Sequence, residues 1–226
     1  MFMTPATPRG RGRRQSGIRA AGESLPTAGE MLANLRATLD SADFAHIDEG
    51  LGWYRVAHSI ARELHETHPD TVRSVRHGAG IIAALSPQTG WAENISLAHQ
   101  AAAAGSADGL AHFADATGKA SRILRGEDPG DVLGGRKVRS FFSNILDPDR
   151  SGPVTIDRHA VDMLCGRRGA VKDRVLERVG VYLRCTAVIR SEARRMGWRP
   201  HEVQAVAWVA WRHAHDVAAR YDGEEF

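Results

Sequence analysis

From Thr27 onward, apolar residues recur at three- and four-residue steps, the spacing that gathers them on one side of a helix. Met31, Leu32, Leu35 and Leu39 form the first run. Trp53, Val56, Ala57, Ile60, Ala61 and Leu64 form the second, which ends before Pro69. The pattern predicts a helix over 71–85 stopped by Ser86-Pro87, and another over 91–103 stopped by Gly105. Shorter helices are expected over 108–114 and 118–124, turns over 126–135, and a helix over 136–146 carried by Val138, Phe141, Phe142 and Ile145. Asp147-Pro148 and Gly152-Pro153 mark a loop before a helix over 157–165. Two long helices follow, over 172–196 and 200–221, with Gly197 between them and Pro200 at a first helical position. No alternating stretch of useful length suggests a strand. The expectation is an all-α fold of about nine or ten helices without internal repeats.

The 226 residues, 42% hydrophobic and 25% charged, suffice for a real apolar core, here read as a single all-α domain over 27–226. The start of the chain differs. Pro5, Pro8, Gly10, Gly12 and Gly17 are interspersed with arginines, the composition of a disordered basic tail over 1–26. Residues 1–20 carry five arginines and no acid, so removing their +5 from the net +3 leaves −2 for the rest. A nucleic-acid partner would therefore meet a local basic patch, helped by the tail. No apolar run approaches the roughly 18 residues of a membrane span, and the N-terminus lacks a secretory apolar segment, so a cytoplasmic protein is expected. Cys165 and Cys185 have no companions at metal-ligand spacing, which argues against disulfide, zinc and iron–sulfur scaffolds.

Three stretches carry candidate chemistry. In VLGGRKVRSFFSNIL, residues 132–146, Gly134-Gly135 lets the backbone turn tightly, and the next helix aims its unpaired N–H groups back at that turn. This suits an anion, although a plain helix hairpin uses the same residues. Lys137 is one of three lysines, with Lys119 and Lys172, against 27 arginines. An amine can become a nucleophile where a guanidinium cannot, and it also serves as a simple phosphate or surface contact.

In PVTIDRHAVDML, residues 153–164, Asp157 stands where a loop enters a helix. Two roles fit a carboxylate there: an N-cap, or stabilisation of a cationic sugar transition state. His159 does not share its helical face and reads as a packing or hydrogen-bonding residue. In GIIAALSPQTGWAENISLAHQ, residues 80–100, the polar loop Ser86-Pro87-Gln88-Thr89 between buried helices can present Gln88 outward, where an amide could fill the gap left by an extruded base.

In this order the three stretches resemble the helix-hairpin-helix DNA glycosylase superfamily, which includes endonuclease III and the adenine and 8-oxoguanine glycosylases. IIAALSPQTGWAEN is similar to its apolar helix ending in Leu-Ser-x-Gln-Thr and running toward an Asn. LGGRKV resembles a shortened Leu-Pro-Gly-Val-Gly-x-Lys-Thr hairpin, and VTIDRHAV resembles the Val-Asp-Thr-His-Val segment. The likeness spans about residues 75–165, over a third of the chain. It implies a two-lobed helical bundle acting on duplex DNA as a monomer, without a metal or other cofactor.

The resemblance also implies roles. Asp157 would stabilise charge at the sugar C1′, and Lys137 matches the lysine that forms a Schiff base in bifunctional members. The backbone at Gly134 and Gly135 would hold a phosphate, with Arg136, Arg139 and Arg158 as further DNA contacts and Gln88 as the wedge. The hairpin lacks the usual Pro and one residue, and the four-cysteine cluster of endonuclease III is absent. Arg158 replaces the usual Thr, adding a cation beside Asp157. The expected activity is eversion of a nucleotide into a cleft between two lobes and cleavage of its N-glycosidic bond, with Lys137 deciding whether a lyase step follows. Phage-encoded transferases that modify thymine bases resemble the same scaffold, and a non-catalytic DNA-binding protein is the third expectation.

Elsewhere, Trp198, Trp208 and Trp211, together with Trp53 and Tyr54, read as core residues on amphipathic helices. His58, His65 and His68 lie near one another without a ligand from a third segment, so no metal is assigned. Arg184, Arg190, Arg194, Arg195 and Arg199 fit either a solvated stripe or a flank for DNA.

Overall fold

The computed structural model describes residues 25–170 and 179–215, and among these it is all-helical. The helices are α1 (Ala28–Asp40), α2 (Phe44–Thr67), α3 (Val75–Leu85), α4 (Trp91–Ala104) and α5 (Ala114–Leu124). They continue with α6 (Pro129–Val132), α7 (Arg136–Leu146), α8 (Arg158–Cys165), α9 (Val179–Met196) and α10 (Pro200–Ala214). No helix among the described residues is long and apolar enough to cross a membrane. Residues 1–24 of the expected tail, 172–178 of one expected helix and 216–221 of another lie outside the described residues.

Local chemistry explains most boundaries. Thr27 and Glu30 form a reciprocal capping box at α1, and Asp43 and His46 do the same at α2. Asp43 thus starts α2 at Phe44, well ahead of the apolar run beginning at Trp53. Pro129 and Pro200 open α6 and α10, and Gly105, at φ +68°, ends α4. Helix α3 begins at Val75, four residues later than expected. Residues ahead of it turn instead, with the Thr71 hydroxyl donating to the Ala102 carbonyl at 2.6 Å. The expected helix over 108–114 is absent as well. Ser121 donates to the Asp108 carboxylate at 2.8 Å and accepts from the Ala107 N–H at 3.0 Å, holding a turn ahead of the single helix α5.

The buried apolar residues form two clusters. One is built from α2 through α7 around the almost wholly buried α3, with Ile81, Ile82, Leu85, Ile123, Leu133 and Ile145 at its centre. The other joins α1, α8, α9 and α10 through Met31, Leu35, Ile156, Met163, Leu164 and Ile189. Helix α10 serves both, giving Ala205 to the first and Val203, Ala207 and Trp211 to the second. It packs on α2 so closely that a Cβ built at Gly50 would lie 2.4 Å from the Val206 Cα. A side chain there requires the helices to separate, so the α2–α10 crossing depends on this glycine. Buried Glu192 of α9 accepts from Arg36 Nε of α1 at 2.9 Å and Arg195 Nε at 2.7 Å, tying the two helices together.

Candidate functional site

Residues 154–156 lead into α8 as a buried segment without helix or strand, held by two tyrosines from different helices. The Tyr182 hydroxyl of α9 donates to the Val154 carbonyl at 2.8 Å and accepts from the Ile156 N–H at 3.4 Å, with the Ser140 hydroxyl 3.1 Å away. The Tyr54 hydroxyl of α2 lies 3.0 Å from both Thr155 Oγ1 and Gln204 Oε1. Since an amide oxygen only accepts, the phenol donates to Gln204 and receives the Thr155 proton, while Asn144 Nδ2 donates to Thr155 at 3.2 Å. Burial pushes both phenol pKa values up, so both remain donors. The residue at the end of this clamped segment is Asp157. Its Oδ1 accepts from the Ala160 N–H at 2.7 Å, making it the N-cap of α8.

Asp157 is half-buried and lines a cleft of about 450 Å³, a volume within the range of small-ligand sites. Lys137 from the second residue of α7, Gln88 from the α3–α4 loop and Arg158 from the start of α8 line it too. Three stretches separated in sequence therefore meet in one concavity. Among the described residues, Lys137, Arg158 and Arg212 give the cleft three cationic side chains and Asp157 one carboxylate. This local excess of positive charge contrasts with the net −2 of residues 21–226 and suits an anionic ligand.

Gln88 is the one non-glycine among the described residues with a positive φ, +56°. A side chain in that region is strained by contacts with its own backbone, and such strain is concentrated at functional sites. The loop projects Gln88 as an exposed amide at the cleft.

Gly134, Gly135, Arg136 and Arg139 are outside the cleft lining, on the hairpin leading into α7. Gly135 has φ +69° and caps α7 without a side-chain bond, and a Cβ at either glycine would meet nothing within 4 Å. The hairpin backbone is thus open to approach. Arg136 is exposed, whereas Arg139 turns back so that Nε donates to the Leu133 carbonyl at 2.7 Å, fastening the turn.

The aromatic residues require a correction. Trp211 packs in the second apolar cluster with Trp198 against it, as expected of core residues. Trp53 and Trp208 do not belong wholly to the core: both are half-buried and line the cleft, as does Trp91. The Trp53 ring centroid is 5.1 Å from that of Trp91 and 5.0 Å from that of Trp208, and Arg212 lies over Trp208 at 4.4 Å. Helical periodicity marked these indoles as facing inward but could not distinguish a packed interior from a cleft. His159 also lines the cleft, and burial holds its pKa below the usual imidazole value.

His58 Nδ1 and His65 Nδ1 donate to the carbonyls of Ile145 and Val72, at 3.0 and 2.6 Å, which accounts for them as helix-packing residues. Among the described residues no group of His, Cys, Asp and Glu could hold a metal ion. Both cysteines are free, and burial pushes the Cys185 thiol up to about 11.

None of the curated proteins and none of the solved structures compared with the chain matches it. A family model described as a family of unknown function (DUF7178) matches residues 19–215, and the chain therefore belongs to that family.

Proposed function

We propose that this protein is a DNA-base-directed enzyme of the helix-hairpin-helix glycosylase type, which everts a nucleotide and cleaves its N-glycosidic bond. The observation that carries this reading is the convergence of Asp157, Lys137 and Gln88 on one positively charged, tryptophan-lined cleft. The two apolar clusters, joined through α10, are compatible with a two-lobed plan. An everted base has indole faces to stack on, and the amide of Gln88 is available to occupy the space it leaves. Backbone N–H groups at Gly135 and the start of α7 are suited to a phosphate of the same strand.

In the reaction, the bond between C1′ and the base nitrogen breaks, and its electron pair leaves with the base. The Asp157 carboxylate stabilises the positive charge developing on the sugar ring, and water adds to C1′ with loss of a proton. If the Lys137 amine adds instead of water, a covalent Schiff base follows and strand scission accompanies excision.

The test is incubation with oligonucleotides carrying uracil, 8-oxoguanine, alkylated or hydroxymethylated bases, scored for free base, strand scission and mass change. Asp157→Asn is a sharp control because Asn caps helices about as well as Asp. Excision should fall by about 10²–10³-fold without loss of fold. Unchanged excision in this variant overturns the role of Asp157. Borohydride trapping of a DNA adduct in the wild type but not in Lys137→Ala establishes the lysine as the nucleophile, and an adduct in both rejects it. Added nucleoside mass without free base would replace excision by base-modifying transfer. Binding without any reaction, equal in Asp157→Asn, would leave a DNA-binding protein.

A further inference from the structure

We infer that Asn94 is the specificity-determining residue of the cleft: its carboxamide hydrogen-bonds the edge of a heteroaromatic base that carries an N–H beside an acceptor, while the tryptophans stack on the base's face. This inference rests on the proposed base-directed function and names what that site recognises.

Asn94 lies in the first turn of α4, three residues after Trp91, and lines the same cleft. It is only 2% exposed, yet its Oδ1 has no hydrogen-bond partner. Three other polar groups around the cleft are already engaged. The Ser86 hydroxyl donates to the Ala83 carbonyl at 2.9 Å, the Thr89 hydroxyl donates to Glu93 at 3.0 Å, and Gln204 Oε1 accepts from Tyr54. Asn94 thus keeps unused hydrogen-bonding capacity at a buried position, which is unfavourable until a partner is supplied. A bound group can supply the missing partner.

The chemistry of that group follows from its surroundings. Trp53, Trp91 and Trp208 offer flat apolar faces, which suit a planar ring, and stacking does not distinguish one base from another. Discrimination must come from the ring's edge. A carboxamide presents a donor next to an acceptor, complementary to an edge that does the same, as when Asn or Gln pairs with adenine. Methylating the N–H removes the donor and introduces a clash, leaving the faces available for stacking.

The three cleft tryptophans also provide the readout. Intrinsic fluorescence is followed while the full-length protein is titrated with uracil or 3-methyluracil, and with adenine or N6,N6-dimethyladenine. In the wild type, at least one unmethylated base should quench with a Kd roughly tenfold or more below that of its methylated counterpart. Asn94→Ala should bring that ratio close to one. Asn94→Leu should lose discrimination while melting no lower than the wild type, because it removes an unsatisfied buried oxygen and keeps the volume. The melting comparison separates recognition from support of the fold. Equal binding of methylated and unmethylated bases by the wild type, a ratio preserved in Asn94→Leu, or quenching by none of the four overturns the inference. The excision assay with Asp157→Asn decides the parent reading separately.

Discussion

Lys137, Asp157 and Arg158 are charged residues that line the cleft from helix starts, Arg212 joins them from the last turn of α10, and the tryptophans Trp53, Trp91 and Trp208 reach the site by a different route. Lys137 follows the Gly134-Gly135 turn, while Asp157 caps α8 and Arg158 is its first residue. Turns and caps close in sequence set where each of these helices starts, while Tyr54 and Tyr182 hold the segment ahead of Asp157. The indoles come from α2, α4 and α10, and Trp53 and Trp208 meet only because those helices cross at Gly50 and Val206. Chemistry built on local turns is exposed to motif reading, whereas a stacking surface built on helix crossings depends on the complete fold.

The kinetic consequences should divide along the same line. An interaction made only with developing charge appears in kcat, as for Asp157→Asn, whereas stacking on a base is present before and during reaction and appears in KM. The Trp53→Ala/Trp208→Ala double variant should therefore raise KM for a cleavable oligonucleotide by about 10–100-fold with little change in kcat. Steady-state kinetics would break the distinction if kcat fell instead.

Next in size is Gly50→Ala. The added methyl meets the α10 backbone and should lower unfolding free energy by about 1–3 kcal/mol in urea titrations. Its effect should reach both KM and kcat, because the α2–α10 crossing aligns the indoles and also carries Tyr54 and Gln204, which hold Thr155 ahead of Asp157. Tyr182→Phe probes the other lining. It removes the hydroxyl that holds Val154 and Ile156, and should cost about 1 kcal/mol of stability. Here kcat should fall while KM stays near its wild-type value, since Asp157 is at the end of that segment.

The smallest effect concerns acid. His201, almost fully buried, has Nε2 3.0 Å from the Pro148 carbonyl, and burial holds its pKa below the ordinary 6.5. His77 and His159 are shifted the same way, also through burial. The unfolded chain therefore takes up protons at a pH where the folded one does not. Stability is full above about 6.5 and declines as pH falls below it. Each histidine contributes less than about 1.4 kcal/mol per pH unit. Melting temperatures between about pH 7.5 and 5.5 should show this slope, and His201→Gln should flatten part of it.

Much of the fold was legible along the chain. Helix α7 has the expected bounds at 136 and 146, α4 ends one residue beyond its expected end at 103 and directly before its expected stop Gly105, and Pro200 opens α10. Breakers and caps act over a few residues, so their effect survives any tertiary arrangement. The early start of α2 and the turn before α5 were less legible, because side-chain bonds from Asp43 and Asp108 override the hydrophobic rhythm there. Among site residues, Gln88, Lys137 and Asp157 stood out through turn chemistry and the glycosylase resemblance. The positive φ of Gln88 and the clamps formed by Tyr54 and Tyr182 had no counterpart in the residue pattern.

By itself the amino-acid sequence determined the helical class, most helix ends and the presence of a carboxylate and an amine at helix starts, because hydrophobic spacing, capping and glycine turns act within one or two turns of chain. Tertiary structure decided that the carboxylate and amine share a cleft, that three indoles line it and that Asn94 is buried there without a partner for its oxygen. Those facts depend on where helices distant in sequence cross. A crossing is set by side chains from both helices together, so neither helix's residue pattern specifies it alone.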